Sequence, residues 1–143
     1  MVFGSSTQDT RPLFFSCWKK YKQKHPLSAL ERQLVAVMRD HPEYHAFLEQ
    51  SSSVVVFAKG LGGIEHDHPF LHMGLHLALR EQVILNRPTG IASIYHTLIE
   101  QHPDPHHAEH LMMEALAACL WESNRSQRIP DDAAYLNACK ELI

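Results

Sequence analysis

HDHPFLHMGLHLALREQ, from His66 to Gln82, is the stretch whose pattern decides the fold. From Pro69 onward, at about 100° per residue, the apolar residues Phe70, Leu71, Met73, Leu75, Leu77, Leu79, Val83 and Ile84 leave no broad polar face. A helix that is apolar nearly all round is packed among others rather than laid on a surface. Pro69 suits a first helical position, and the helix is predicted to run to about Asn86, where the RPTG sequence breaks it. One stripe of this helix carries His72, His76 and Arg80, each four residues after the last. Imidazoles in so apolar a segment are expected to be at least partly buried, and a buried imidazole needs hydrogen-bond partners or a metal ion.

Working outward gives more helices. Residues 1–12 are polar and small and read as a flexible tail. Leu13 to Lys24 reads as a helix offering Phe14, Phe15, Cys17, Trp18 and Tyr21 to a core, ended by His25-Pro26. Ser28 to Glu31 is a capping box, and the helix it opens carries Leu30, Leu34, Val37 and Met38 and ends near Asp40. HPEYHAFLEQ is a short helix begun by Pro42. Residues 51–67 read as a loop, since a lone VVVFAK strand would lack a partner. Ile91 to Gln101 is a further helix, and Asp104-Pro105 opens a long one to about Gln127. Pro130-Asp131-Asp132 opens the last, to about Leu142. The expectation is an all-α bundle of five to seven helices, with residues 13–143 as a single domain.

Composition narrows the function. At 143 residues and 45% hydrophobic, the chain can bury one core. A net charge of −3 gives no electrostatic case for nucleic acid or an anionic membrane, and the basic run Lys19 to Lys24 reads as a solvated helix face. No signal peptide and no apolar run of about 18 residues is visible, so no membrane span is expected. Cys17, Cys119 and Cys139 are odd in number and far apart, which suits buried thiols in a cytoplasmic protein rather than a disulfide framework or a Cys-type metal site.

Histidine is the outlier, with 12 residues against 13 Lys+Arg. Three His-x-x-x-His pairs fall on three segments that read as separate helices: His41/His45, His72/His76 and His106/His110. The i, i+4 spacing puts two rings on one side of a helix, where they can share one ion. His41 occupies a cap position where Ser, Asp or Asn is usual, which an inward-turned ring would explain. Glu109 falls on the apolar face formed by Ala108, Met112, Leu116, Cys119 and Leu120, and an acid there wants a cation or strong donors. HHAEH also contains H-x-x-E-H, the inverted zinc-peptidase motif, but the chain is far short of that architecture. Met112 and Met113 read as core.

HPEYHAFLE, HPFLHMGLHLALREQ, NRPTGI, HAEHLMME and LWESNR, read in order, resemble the bacterial domain of unknown function 1841 family, from about Leu13 to Leu142. The resemblance covers His41, Glu43, Tyr44, His45, His72, His76, Arg80, Glu81, Gln82, Arg87, Pro88, Gly90 and Ile91. It continues through His106, Glu109, His110, Trp121 and Arg125, leaving out His66, His102 and His107. His68 stands where the family has Asn, and His107 where it has Glu. The resemblance implies a small bacterial cytoplasmic protein and no particular activity.

The leading expectation is a metal-binding bundle with ligands from His72, His76, His106 and His110, then His41 and His45, and with Glu109 as acid ligand or base. Imidazole and carboxylate donors suit zinc, iron or manganese. An open coordination position would allow a hydrolytic or oxidative centre. No nucleotide is expected, and no haem motif is present. The rival expectation is a protein-interaction module or homodimer. In it the histidines satisfy one another and Glu81, Glu109 and Glu114, and an exposed aromatic end of Phe14, Phe15 and Trp18 docks a partner.

Overall fold

A computed structural model of the chain describes residues 7–49 and 69–143. The expected loop at 51–67, with His66 and His68, lies outside the described residues. Among those described there are seven α-helices, one 3-10 turn and no strand. The fold is all-α, as the periodicity predicts. The chain divides inside one helix into a unit ending at Leu77 and a unit running Ala78–Ile143.

The first unit begins with α1 (Thr7–Lys22), which starts ahead of the expected Leu13 and takes in Pro12. Its end is a left-handed turn at Lys24, φ 60°. There the His25 N–H donates to the Lys20 carbonyl at 2.9 Å, and the Lys24 N–H to that of Tyr21 at 3.1 Å. This satisfies carbonyls that have no partner within the helix. α2 (Ala29–Arg39) has the predicted capping box: the Ser28 hydroxyl accepts from the Glu31 N–H, and the Glu31 carboxylate from the Ser28 N–H. A 3-10 turn (Pro42–Tyr44) leads into the short α3 (His45–Leu48). α4 (Pro69–Leu85) follows and runs on into the second unit.

Phe14, Cys17 and Trp18 of α1 pack with Leu34, Val35, Val37 and Met38 of α2, Leu48 of α3, and Phe70 and Met73 of α4. The rings of Phe15, Phe47 and Phe70 meet at centroid separations of 5.4–5.6 Å. This corrects the rival expectation of an exposed aromatic end, because Phe14 and Trp18 are each only 3% exposed. Burying one such ring is worth roughly 2–3 kcal/mol, more than an unpartnered surface position can offer.

The second unit holds the end of α4 with α5 (Ile91–Gln101), α6 (Pro105–Ser126) and α7 (Asp132–Lys140). Asn86 ends α4 in the left-handed region, φ 51°, and its Oδ1 then accepts from the Gly90 and Ala92 N–H groups, capping α5. Gly90, at φ 105°, occupies a conformation that side-chain-bearing residues rarely adopt. Asp104 and Asp131 cap α6 and α7 as predicted. The core is built from Ala78, Leu79, Ile91, Ile94, Leu98, Ala108, Met112, Met113, Leu116, Tyr135 and Cys139. The buried Tyr135 hydroxyl donates to Gln82 Oε1 at 2.6 Å, tying α7 to α4. No helix of the described residues is long and apolar enough to cross a membrane.

Candidate metal centre

The centre starts at the C-terminal end of α2, whose last carbonyls have no partner within the helix. The His41 N–H donates to the Met38 carbonyl at 3.1 Å. The ring turns back so that Nδ1 lies 2.8 Å from the Val37 carbonyl. A carbonyl can only accept, so Nδ1 carries the hydrogen, and a neutral ring then presents its lone pair at Nε2. His41 makes no side-chain cap to the turn that follows it, and it is 1% exposed. That explains histidine at a cap position: the ring serves the helix behind it and the interior.

α4 brings the partners. His72 Nε2 lies 3.0 Å from His41 Nε2 and 3.2 Å from His76 Nε2. The three rings meet edge to face, with centroids 4.6–4.8 Å apart. His76 is fully buried and His72 half-buried. With the lone pair of His41 turned inward, one hydrogen on His72 Nε2 serves the contact between them. Tyr44 lies parallel to the His41 ring, at 5.4 Å and 12°, and forms one wall. His41 and His76, with ring centroids 4.6 Å apart, are among the residues that could hold a metal ion.

His45 is turned elsewhere. Its Nε2 lies 2.7 Å from the Met38 carbonyl, and its ring packs on Trp18 at 4.5 Å. It therefore caps α2 and braces the core, and its Nε2–H is committed to that carbonyl.

In the second unit, α6 presents His106 and His110 on one side, with ring centroids 4.2 Å apart and a nitrogen of each within 4.8 Å of the other. Both are half-buried. Glu109 is 4% exposed, and the cation it requires is Arg80, whose Nε lies 3.0 and 3.3 Å from the two carboxylate oxygens. The Tyr95 hydroxyl donates to Glu109 Oε2 at 3.2 Å. Burial pushes the Tyr95 hydroxyl above its ordinary pKa, and the Glu109 charge adds to this, so the phenol stays a donor. Glu114 is exposed.

The sequence analysis missed Tyr95, and it names Tyr44 only among the residues that the resemblance covers. Both lie beside candidate residues in the sequence or one element away. Tyr95 carries a signal of a sort, as a phenol on an otherwise apolar helix face beside Ile91, Ile94 and Leu98.

Fold and side chains together define an all-α protein that gathers the imidazoles of His41, His72 and His76 in its first unit. Compared with known families, the chain matches the one described as "Domain of unknown function (DUF1841)" over residues 6–141, and it belongs to that family. No curated protein and no solved structure matches the chain.

Proposed function

We propose that this protein binds a divalent metal ion, zinc, iron or manganese, through His41, His72 and His76, and that His106 and His110 are a second candidate pair within the other unit. The observation that carries the reading is the approach of His41, His72 and His76 through their Nε2 atoms, at 3.0 and 3.2 Å. Metal–nitrogen bonds of about 2.0–2.1 Å put neighbouring ligand nitrogens about 2.9 Å apart in an octahedron and about 3.3 Å apart in a tetrahedron. The spacing of the rings falls in that interval. The Val37 carbonyl on His41 Nδ1 is the outer contact that orients a ligating imidazole.

Two features support His106 and His110 as a candidate pair. Their rings stand 4.2 Å apart at i, i+4 on α6, and Arg80 grips Glu109, the neighbour of His110. Both Glu109 oxygens face Arg80, so its proposed role is to orient this turn of α6 for its histidines rather than to ligate first. A cytoplasmic setting is proposed as well, in keeping with the free thiols of Cys17, Cys119 and Cys139.

The test is elemental analysis of untagged protein purified without chelators. Zinc, iron or manganese near one per chain is expected, and His72→Ala combined with His110→Ala should abolish it. Metal content unchanged in that double variant would refute the proposal.

A second reading has its own observation. His41 and His45 both cap α2, so these histidines also have a structural use. On that reading the protein is an interaction module or homodimer, and it stays metal-free after metal is added back to the folded chain.

A further inference from the structure

The second unit holds a cleft whose lining includes no histidine. It lies between α6 and α7 and has a volume of about 460 Å³, within the range of small-molecule sites. We infer that this cleft binds a medium-chain carboxylic acid, with the acyl chain between the helices and the carboxylate on Arg128. The inference is independent of the metal reading.

The space exists because the two helices carry short side chains where they border it. Ala115 and Ala118 of α6 and Ala134 and Ala138 of α7 line the cleft, and Tyr135 and Ile129 complete its apolar part. The lining along α6 runs from Ala115 to Ser126, which is about 16 Å at 1.5 Å per residue. An elongated apolar cleft suits a chain better than a compact ring. Ile129 is 88% exposed, so an acyl chain laid beside it removes apolar surface from water.

The neutral donors of the lining are already committed within the chain. The Ser123 hydroxyl donates to the Arg128 carbonyl, and that of Ser126 to the Glu122 carbonyl at 2.8 Å. The Cys119 thiol donates to the Asp131 carbonyl at 3.9 Å, and the Tyr135 hydroxyl to Gln82. The interior therefore offers a polar body no free hydrogen. Of the charged groups, Glu122 faces Arg125 with both oxygens, and Asp131 Oδ1 accepts from the Ala134 N–H at the start of α7. Arg128 has no ion pair among the described residues, while Ser123 holds its backbone at both the N–H and the carbonyl. An apolar cleft with one available guanidinium is complementary to an amphiphile with a single carboxylate end.

The experiment titrates sodium decanoate into the full-length protein by calorimetry, with decan-1-ol as the uncharged chain and sodium acetate as the head group alone. Saturable binding of decanoate is expected, with decan-1-ol weaker by roughly five-fold and acetate not binding. Arg128→Gln should bring decanoate down to the level of the alcohol. Ala118→Leu, which fills the cleft from an exposed position, should abolish binding. In the wild type, decanoate should also slow alkylation of the half-buried Cys119 by iodoacetamide, a readout that needs no variant. No binding, binding unchanged in Ala118→Leu, or no protection of Cys119 overturns the inference. So does a dimer in sedimentation that Ala118→Leu dissociates, which gives the cleft to a second copy of the chain.

Discussion

His72 Nε2 lies 3.0 Å from His41 Nε2, a hydrogen bond between residues 31 positions apart in the chain. His41 is held in place for it by the end of α2, through the Val37 carbonyl. His45 performs a parallel service at the Met38 carbonyl but faces Trp18. The two histidines of one pair thus have different duties.

That difference is testable by substitution. His41→Ala and His45→Ala each remove a hydrogen bond to an end of α2 and should each cost about 1–3 kcal/mol in urea unfolding. Only His41→Ala should lose the bound metal. Equal metal loss in both variants would contradict the assignment of His45 as a cap.

The Arg80–Glu109 pair is largely shielded from water, with the side chains 26% and 5% exposed. Arg80→Ala leaves a buried carboxylate without its cation and should destabilise by about 3 kcal/mol. Tyr95→Phe removes one donor to the same carboxylate and should cost about 1 kcal/mol. Because Arg80 and Tyr95 share Glu109, the double variant should depart from additivity in a denaturant cycle.

Glu31 supplies a pH dependence. Lys20, 2.6 Å away, and the Ser28 N–H hold its carboxyl at about 2, below its ordinary 4.5. A carboxyl with a lowered folded value stabilises the protein fully above its ordinary value and loses that contribution as pH falls through 4.5 toward 2. Wild type should melt above Glu31→Gln near neutral pH, and the gap should close across that window. A gap that stays constant down to the acid limit would exclude the linkage.

Backbone conformation gives a fourth pair of outcomes. Gln127 ends α6 at φ 55°, and the Arg128 N–H reaches back to the Ser123 carbonyl at 3.1 Å. This left-handed position favours glycine, so Gln127→Gly should stabilise by about 0.5–1 kcal/mol. Gly90→Ala should do the reverse, by about 1–2 kcal/mol, through backbone strain alone. An added Cβ there would meet nothing within 4 Å. Thermal unfolding of both variants reads the two signs directly.

Much of the fold could be read from neighbouring residues. Ser28, Asp104 and Asp131 cap α2, α6 and α7 through contacts two or three residues away, so the starts of these helices are written locally. The i, i+4 spacing likewise puts His72 with His76, and His106 with His110, on common faces whatever surrounds them. The start of α1 was harder to read, because polar residues at 7–12 carry no apolar period to mark it. The rival expectation of an exposed aromatic end failed for a related reason: composition supplies aromatic residues but not the elements that cover them.

By itself, then, the sequence determined an all-α chain, most of its helix boundaries and the histidine pairs. Only the tertiary structure decided that His41 joins His72 and His76 while His45 turns to Met38, and that Arg80 and Tyr95 hold Glu109. Helix caps and faces arise from hydrogen bonds and periodicity within a few residues. The direction a ring takes depends instead on which distant element packs beside it, here across 31 residues between His41 and His72 and 29 between Arg80 and Glu109.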